Sequence, residues 1–386
     1  MKAITILMCF LVPWAFHDGQ EGISSDYVAP NKLMDTSSQD GVLENIKLPP
    51  GFRIDYFAEN VENARTMAYD PRGILYVGSR NAGHVYAVID RDKDYKADGK
   101  IKIVEGLKMP NGVALDGDDL YVAELSRILK FESMGEQLLN GAVQFEYEVI
   151  YDGYPDKTHH GWKYLAIGPD DKLYVPVGAP CNVCESEEIF ASITRMNKDG
   201  SGMEIVQNGI RNTVGFTWDP STNNLWFTDN GRDNMGDNQP FDELNVATGV
   251  GQHFGFPYCH QGDIPDPDYG EGKDCSQYTP PALNLGPHVA ALGLKFYTSD
   301  QFPEEYRNKI FIAEHGSWNR LKKIGYRITM ATVNGNEASD YQVFAEGWLQ
   351  DETTKGRPVD ILILPDGSML VSDDHHNAIY RISYVK

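Results

Sequence analysis

The sequence predicts an all-β fold, a six-bladed β-propeller, and three observations carry that expectation. A strand, a tight turn of the D-P-x-G or P-D-G kind, and a second strand with L-Y-V or a relative recur six times. The copies begin at Met67, Val113, Leu165, Phe216, Leu294 and Ile361. Their start-to-start spacings of 46, 52, 51, 78 and 67 residues sit near the period of propeller blades, with insertions in the later copies. Helical periodicity is almost absent, and nothing after Leu48 breaks the composition as a linker would.

Taken in order, the chain opens on MKAITILMCFLVPWAF, one lysine and then an apolar run over 3–12. That is the length of a secretory signal and too short to span a bilayer, so residues 1–20 are assigned as a signal peptide and the protein as periplasmic or secreted. No other run is long enough to cross a membrane. Residues 21–47 are polar and unpatterned, an extended lead-in, and 48–386 form the single propeller domain. Third strands follow in five blades as HVYAVID, RILKFE, ITRMN, GYRITMATV and AIYRISY. FRIDYFA, at 52–58, is expected to pair with the last blade and close the ring, which leaves only short edges.

Charge and cysteine narrow the function classes. Lys+Arg 34 against Asp+Glu 56 leaves −22, a balance that repels nucleic acid and anionic lipid. With Cys9 removed in the signal, Cys181, Cys184, Cys259 and Cys275 remain, an even number suited to an oxidising compartment. The expected pairs are Cys181 with Cys184 and Cys259 with Cys275. Zinc lacks a second close cysteine pair, and only His260 stands near.

Residues 210–245, IRNTVGFTWDPSTNNLWFTDNGRDNMGDNQPFDELN, gather polar side chains at the ends of two short apolar strands. Strand ends are where a sheet scaffold presents chemistry. Equivalent strand-end positions surround the axis of a propeller, which gathers Arg65, Arg80, Asn111, Glu124, His160, Arg211, Asn230, His315, Arg320 and Arg357 as candidates for one mouth. Such a mouth suits a small anionic ligand, with several arginines for carboxylates and His160 as general base. G-x-S-x-G, P-loop and post-strand G-x-G-x-x-G motifs do not occur, so hydrolase and nucleotide readings lose their anchors. Asp90, Asp92, Asp94 and Asp98 have the spacing of a calcium loop, but Tyr95 stands where an EF-hand places glycine, so a solvated turn is expected.

Over 48–384 the chain resembles the soluble PQQ-dependent sugar dehydrogenases, the six-bladed glucose, aldose and sorbosone dehydrogenase group. HHGWKYLAIGPD, GIRN, LWFTDNGRDNMGDNQPFDELN, QHFGFPYC, IAEHGSWNR and GRPVDILILPDGSMLVSDD carry the resemblance, in that order. It implies oxidation of an aldose-type sugar or sugar aldehyde, hydride passing to PQQ and then to an external acceptor such as a quinone, dye or cytochrome. His160 would be the base, and Arg211 would polarise the quinone carbonyl. Asn212, Asn230 and Arg357 would hold the cofactor. The carbonyls of Gly231 and Arg232 would bind the calcium that bridges cofactor to protein, and Glu243 and the Phe254 carbonyl match a second, structural calcium position.

The chain departs from the glucose-oxidising members in three places. A cofactor-binding lysine falls on Gly316, so His315 or Arg320 is expected to substitute, and a second arginine falls on Val359. The aromatics that stack on glucose have no match before His288, and GSWNR points to the sorbosone-like branch. Two rivals remain. A calcium-dependent lactonase of the gluconolactonase type would use Glu124 and Asn111, to which PNGVALDGDDLYVAE bears some likeness, and a non-catalytic propeller would bind a protein or glycan.

Overall fold

The computed structural model describes residues 41–385, so the assigned signal peptide and most of the lead-in lie outside the described residues. Six sheets follow one another in sequence as the blades of a propeller. The first blade runs Ala64–Asp70, Ile74–Ser79, Val85–Ile89 and Gly99–Val104 from the axis outward. The second begins at Gly112–Asp116, the third at Ala166–Ile167, the fourth at Phe216–Trp218 and the fifth at Ala291–Phe296. The sixth takes Pro358–Ile363, Met369–Asp373 and Ala378–Tyr384 from the C-terminal end and Phe52–Ala58 from the N-terminal end. Antiparallel pairing of Phe52 with Tyr384 through Ala58 with Ile379 closes the ring as expected.

The second strand of each blade is covered on both faces, which is why its sequence reads as an unbroken apolar run rather than an alternation. Ile74–Ser79, Leu173–Val177, Ile310–Glu314 and Met369–Asp373 are buried throughout. Side chains from adjacent blades interdigitate, as where Tyr76, Val85, Leu120 and Phe131 share one cluster and Tyr297, Phe311, Trp348 and Tyr380 share another. Blades are also stitched near the axis: Thr228 Oγ1 donates to Leu292 O at 2.6 Å and Ser372 Oγ to Arg65 O at 2.7 Å.

The fourth blade has a third strand for which the sequence offered no candidate, Phe241–Ala247, and its outer strand Leu283–Pro287 comes only after a long insert. The insert contributes Gln252–His253 as a parallel fifth strand to the third blade and is stapled by Cys259–Cys275, which explains the long fourth spacing. Both expected disulfides are present, with Cα atoms 6.2 Å apart at Cys181–Cys184 and 5.7 Å at Cys259–Cys275. Met134–Leu139 is the one α-helix among the described residues, and no described helix is long and apolar enough to cross a membrane. Residues 43–45 of the lead-in make a 3₁₀ turn, and Lys47 pairs with Glu346 of the fifth blade.

Candidate active site

A cavity of about 650 Å³ opens at one end of the ring, formed by the loops that enter the innermost strands and the loops that leave the second strands. Irregular pairing sets its geometry. Register shifts between Ala64 and Met67, between Ala291 and Leu294, and between Pro358 and Ile361 fall at the starts of three innermost strands. Bulges of this kind re-aim side chains beside sites, and Arg65 and Arg357 stand at two of them. The floor is apolar, with Val214 and Leu292 packed on buried Val359 and on Trp162.

His160 and Arg211 share this wall and are joined through one residue. Ala179 accepts a hydrogen bond from His160 Nδ1 at 2.9 Å, and its own N–H donates to Arg211 O at 2.8 Å. A carbonyl partner requires the proton to sit on Nδ1, so Nε2 keeps the lone pair. Burial, the charge of Arg211 and the neighbouring His159 push the imidazole down to about 2. The ring is therefore neutral. His160 takes a positive φ of 49°, and its loop lies so close to the third blade that a Cβ on Gly178 would fall 2.6 Å from the His160 Cβ.

Arg211 is held from four directions. Nε donates to Asn182 O at 2.8 Å, Nη1 to Asn230 O at 3.0 Å, and Nη2 to both Asn182 Oδ1 and Asp233 Oδ2 at 2.9 Å. Asn182 sits inside the Cys181–Cys184 ring, so that disulfide braces the arginine through it. The backbone N–H groups of Arg211 and Asn212 both donate to buried Asp229, at 2.8 and 2.6 Å. Asn212 Oδ1 is buried with no partner among the described residues, and Asn230 donates its amide to Ala291 O at 2.6 Å.

Opposite stands a second charged group built on Asp374. It accepts from His315 Nε2 at 2.7 Å and Arg65 Nη1 at 3.1 Å, with Arg80 at 3.7 Å. Burial opposes ionisation of Asp374, but His315, Arg65 and Arg80 outweigh it and hold the carboxyl well below the usual range. Burial pushes His315 down to about 3, against the pull of Asp374. The Arg80 guanidinium lies 4.8 Å over the Trp162 ring, and both Arg80 Nε and Trp162 Nε1 are buried without hydrogen-bond partners among the described residues. Arg357 donates to the carbonyls of His315 and Gly316 at 2.9 and 2.5 Å.

The structure thus brings His160, Arg211, Asn212, Asn230, Gly231, His315 and Arg357 into the lining of one cavity. Arg320 lies outside it, spent on the carbonyls of Lys322, Asp237 and Pro287 in the rim. The Arg232 side chain turns away to Asp266 and Asp268. Glu243 is buried in its strand, held by Asn245 and the Gln261 N–H, and burial together with Asp229 pushes it up to about 8. Phe254 packs its ring on Phe227 in the blade core. Gly316 has no room for a longer side chain: its φ is 97° and a Cβ would strike the Tyr326 ring. Positive charge comes instead from Arg65 and Arg80.

Sequence reasoning missed Asp374, Asp233, Asp242, Asn182 and Trp162. For Asp374 a signal existed. Three residues after the central apolar residue of the second strand, at Val77, Phe227, Ile312 and Val371, the repeats place Arg80, Asn230, His315 and Asp374.

Residues 46–385 match the family model described as TrAA12-like. This chain belongs to that family. The TrAA12-like chain is 34% identical over 363 residues to an uncharacterised protein of Borreliella burgdorferi, a match covering 91% of this chain and 94% of the other. It is 24% identical over 279 residues to the aldose sugar dehydrogenase YliI of Escherichia coli, covering 67% and 66%. The holo form of the pyranose dehydrogenase PQQ domain from Coprinopsis cinerea superposes with a TM-score of 0.74 at 17% identity, covering 88% of this chain and 97% of that one.

Proposed function

We propose that this protein oxidises an aldose-type sugar or sugar aldehyde using PQQ, with His160 as general base. The observation that carries the reading is the neutral His160, its Nε2 free, beside an arginine-lined cavity with an apolar floor. PQQ, when bound, supplies a quinone that accepts hydride. Its planar, multiply carboxylated shape fits what the cavity offers: Arg65, Arg80 and Arg357 for carboxylates, and the unpartnered Arg80 Nε, Trp162 Nε1 and Asn212 Oδ1 for hydrogen bonds. Membership of the TrAA12-like family and the likeness to a pyranose dehydrogenase PQQ domain support the same assignment.

His160 takes the substrate hydroxyl proton on Nε2, while the Ala179 carbonyl holds the ring in the required tautomer and stabilises the imidazolium that forms. Arg211, immobilised by Asn182, Asn230 and Asp233, presents a fixed positive charge where negative charge develops, at no cost of reorganisation. The carbonyls of Gly231 and Arg232 are the proposed calcium ligands, with Asp242 at hand in the same wall. An external acceptor then takes the electrons, and the disulfides suit an exported location. A lactonase finds less support. Glu124 is tied to Arg127 and the Lys108 N–H, and Asn111 to Arg65 and Lys163 O, so neither is free for an axial metal.

Dye-linked sugar oxidation by the apoprotein should appear only on adding PQQ with a divalent ion. His160→Ala should leave PQQ binding nearly intact and lower turnover by roughly 10²–10⁴-fold, while Arg211→Ala should weaken both. Wild-type turnover in His160→Ala would reject the assigned base, and calcium-dependent lactone hydrolysis without PQQ would reject the reaction.

A further inference from the structure

The loop over residues 90–98, DRDKDYKAD, joins the third and fourth strands of the first blade. It lies at the end of the ring remote from the cavity, beside the turn after Asp70, where Asp90 N donates to Gly73 O at 2.8 Å. One carboxylate oxygen each from Asp90, Asp92 and Asp98 lies within 4.8 Å of the other two. Asp92 and Asp98 are exposed, but Asp90 is fully buried. Its Oδ2 accepts from Tyr95 N at 3.0 Å; its Oδ1 is buried with no hydrogen-bond partner among the described residues. A buried carboxylate oxygen without a partner is costly, and structures rarely leave one so. The side chain that carries this unpartnered oxygen is also the buried member of the three-carboxylate group.

We propose that Asp90, Asp92 and Asp98 bind a calcium ion that completes the coordination of the buried Asp90 oxygen and locks the seam where the ring closes. The donors are all hard oxygens. Calcium holds carboxylate oxygens at ~2.3–2.6 Å in a flexible shell, so two ligands of one ion stand up to ~5 Å apart, and three oxygens within 4.8 Å of one another can share it. Tyr95, standing where an EF-hand has glycine, does not forbid the turn: it adopts a φ of 66°, the left-handed conformation glycine otherwise supplies. Two contacts make the seam. Ala97 N donates to Phe57 O of the closing strand at 2.8 Å, and the Tyr95 ring lies 4.8 Å beneath the guanidinium of Arg381 on the last strand. A cation that fixes the loop therefore fixes the first blade to the sixth.

The test uses the full chain without PQQ, stripped with chelator and titrated with calcium, followed by thermal unfolding and by terbium luminescence sensitised through Tyr95. Calcium should raise Tm, and Asp90→Asn should weaken the ion by ~10-fold or more, since affinity follows ligand charge. Asp92→Asn, at an exposed position, guards against a variant that misfolds and should weaken it similarly. Tyr95→Phe should lose sensitised emission while keeping the calcium shift. A calcium response of unchanged size in both aspartate variants would belong to another site and overturn the proposal, as would a wild type indifferent to calcium. Sugar oxidation enters none of these readouts, so failure of the proposed activity would not be mistaken for failure here.

Discussion

His160 illustrates how one side chain's environment sets its chemistry. An ordinary histidine titrates near 6.5 and is half-charged in mildly acidic medium. Here burial, Arg211 and His159 keep it neutral down to about 2. Linkage sets the sign for stability. A folded-state pKa below the unfolded one means that the unfolded chain binds the proton first, so this residue opposes folding as pH falls below ~6.5. In the apoprotein, His160→Gln should therefore gain on wild type by up to ~1.4 kcal/mol for each pH unit below that point, read by urea unfolding at several pH values. Parallel stability curves for the two would show that the ring is not held neutral. The residue types of the site were legible because arginine, histidine and asparagine at strand ends are costly unless used. Asp374, Asp233 and Asp242 were less so: an aspartate after a strand is commonplace, and only the folded partners reveal their parts, Arg65 of another blade for Asp374, Arg211 for Asp233 and the Gly231 and Ala290 N–H groups for Asp242.

Among the elements, the short loop from Cys181 to Cys184 does more than its sequence suggests. Asn182 within it satisfies two Arg211 donors and also bonds Asp233, accepting from its N–H at 2.8 Å and donating to its carbonyl at 3.0 Å. Asn182→Ala leaves a buried guanidinium short of an acceptor and the Asp233 N–H short of another, at a cost of ~1.5–3 kcal/mol for the bond to a charged group. The expected outcome is a loss in both PQQ affinity and turnover, with the same direction and a smaller size in the Cys181→Ser, Cys184→Ser double variant, measured by equilibrium binding and dye reduction. Unaltered affinity in Asn182→Ala would show that Arg211 keeps its place without the loop. The strand that escaped sequence reading, Phe241–Ala247, has a related cause. Asp242, Glu243 and Asn245 are buried in it, their charges and amide met by Gly231, Ala290, Gln261 and one another. Apolar patterning is blind to a strand whose interior is polar.

For the whole molecule, the decisive contact is the one that joins its two ends. The repeat made six blades legible from sequence, and FRIDYFA supplied the closing strand because the last blade is one strand short without it. The outer strands and the insert were harder to read, since partly exposed strands such as Glu148–Tyr151 carry weak alternation. Phe52 anchors the closure: its ring meets Phe302, Phe344, Tyr306 and Tyr384 edge-on, with centroids 4.7 to 5.1 Å away. Removing it empties the centre of that aromatic group, and a Phe→Ala change at such a site costs about 3 kcal/mol. A closed ring fails differently from an open stack. Once the first strand detaches, the sixth blade exposes an unpaired edge and the first blade loses the partner of Ala97, so the loss spreads from the seam. Phe52→Ala should therefore speed hydrogen exchange first in the strands Ala378–Tyr384 and Val85–Ile89, on both sides of the closure, while the third and fourth blades exchange as in wild type. Uniform acceleration in all six blades would mean that the ring opens everywhere at once and that closure is no weaker than any other blade contact.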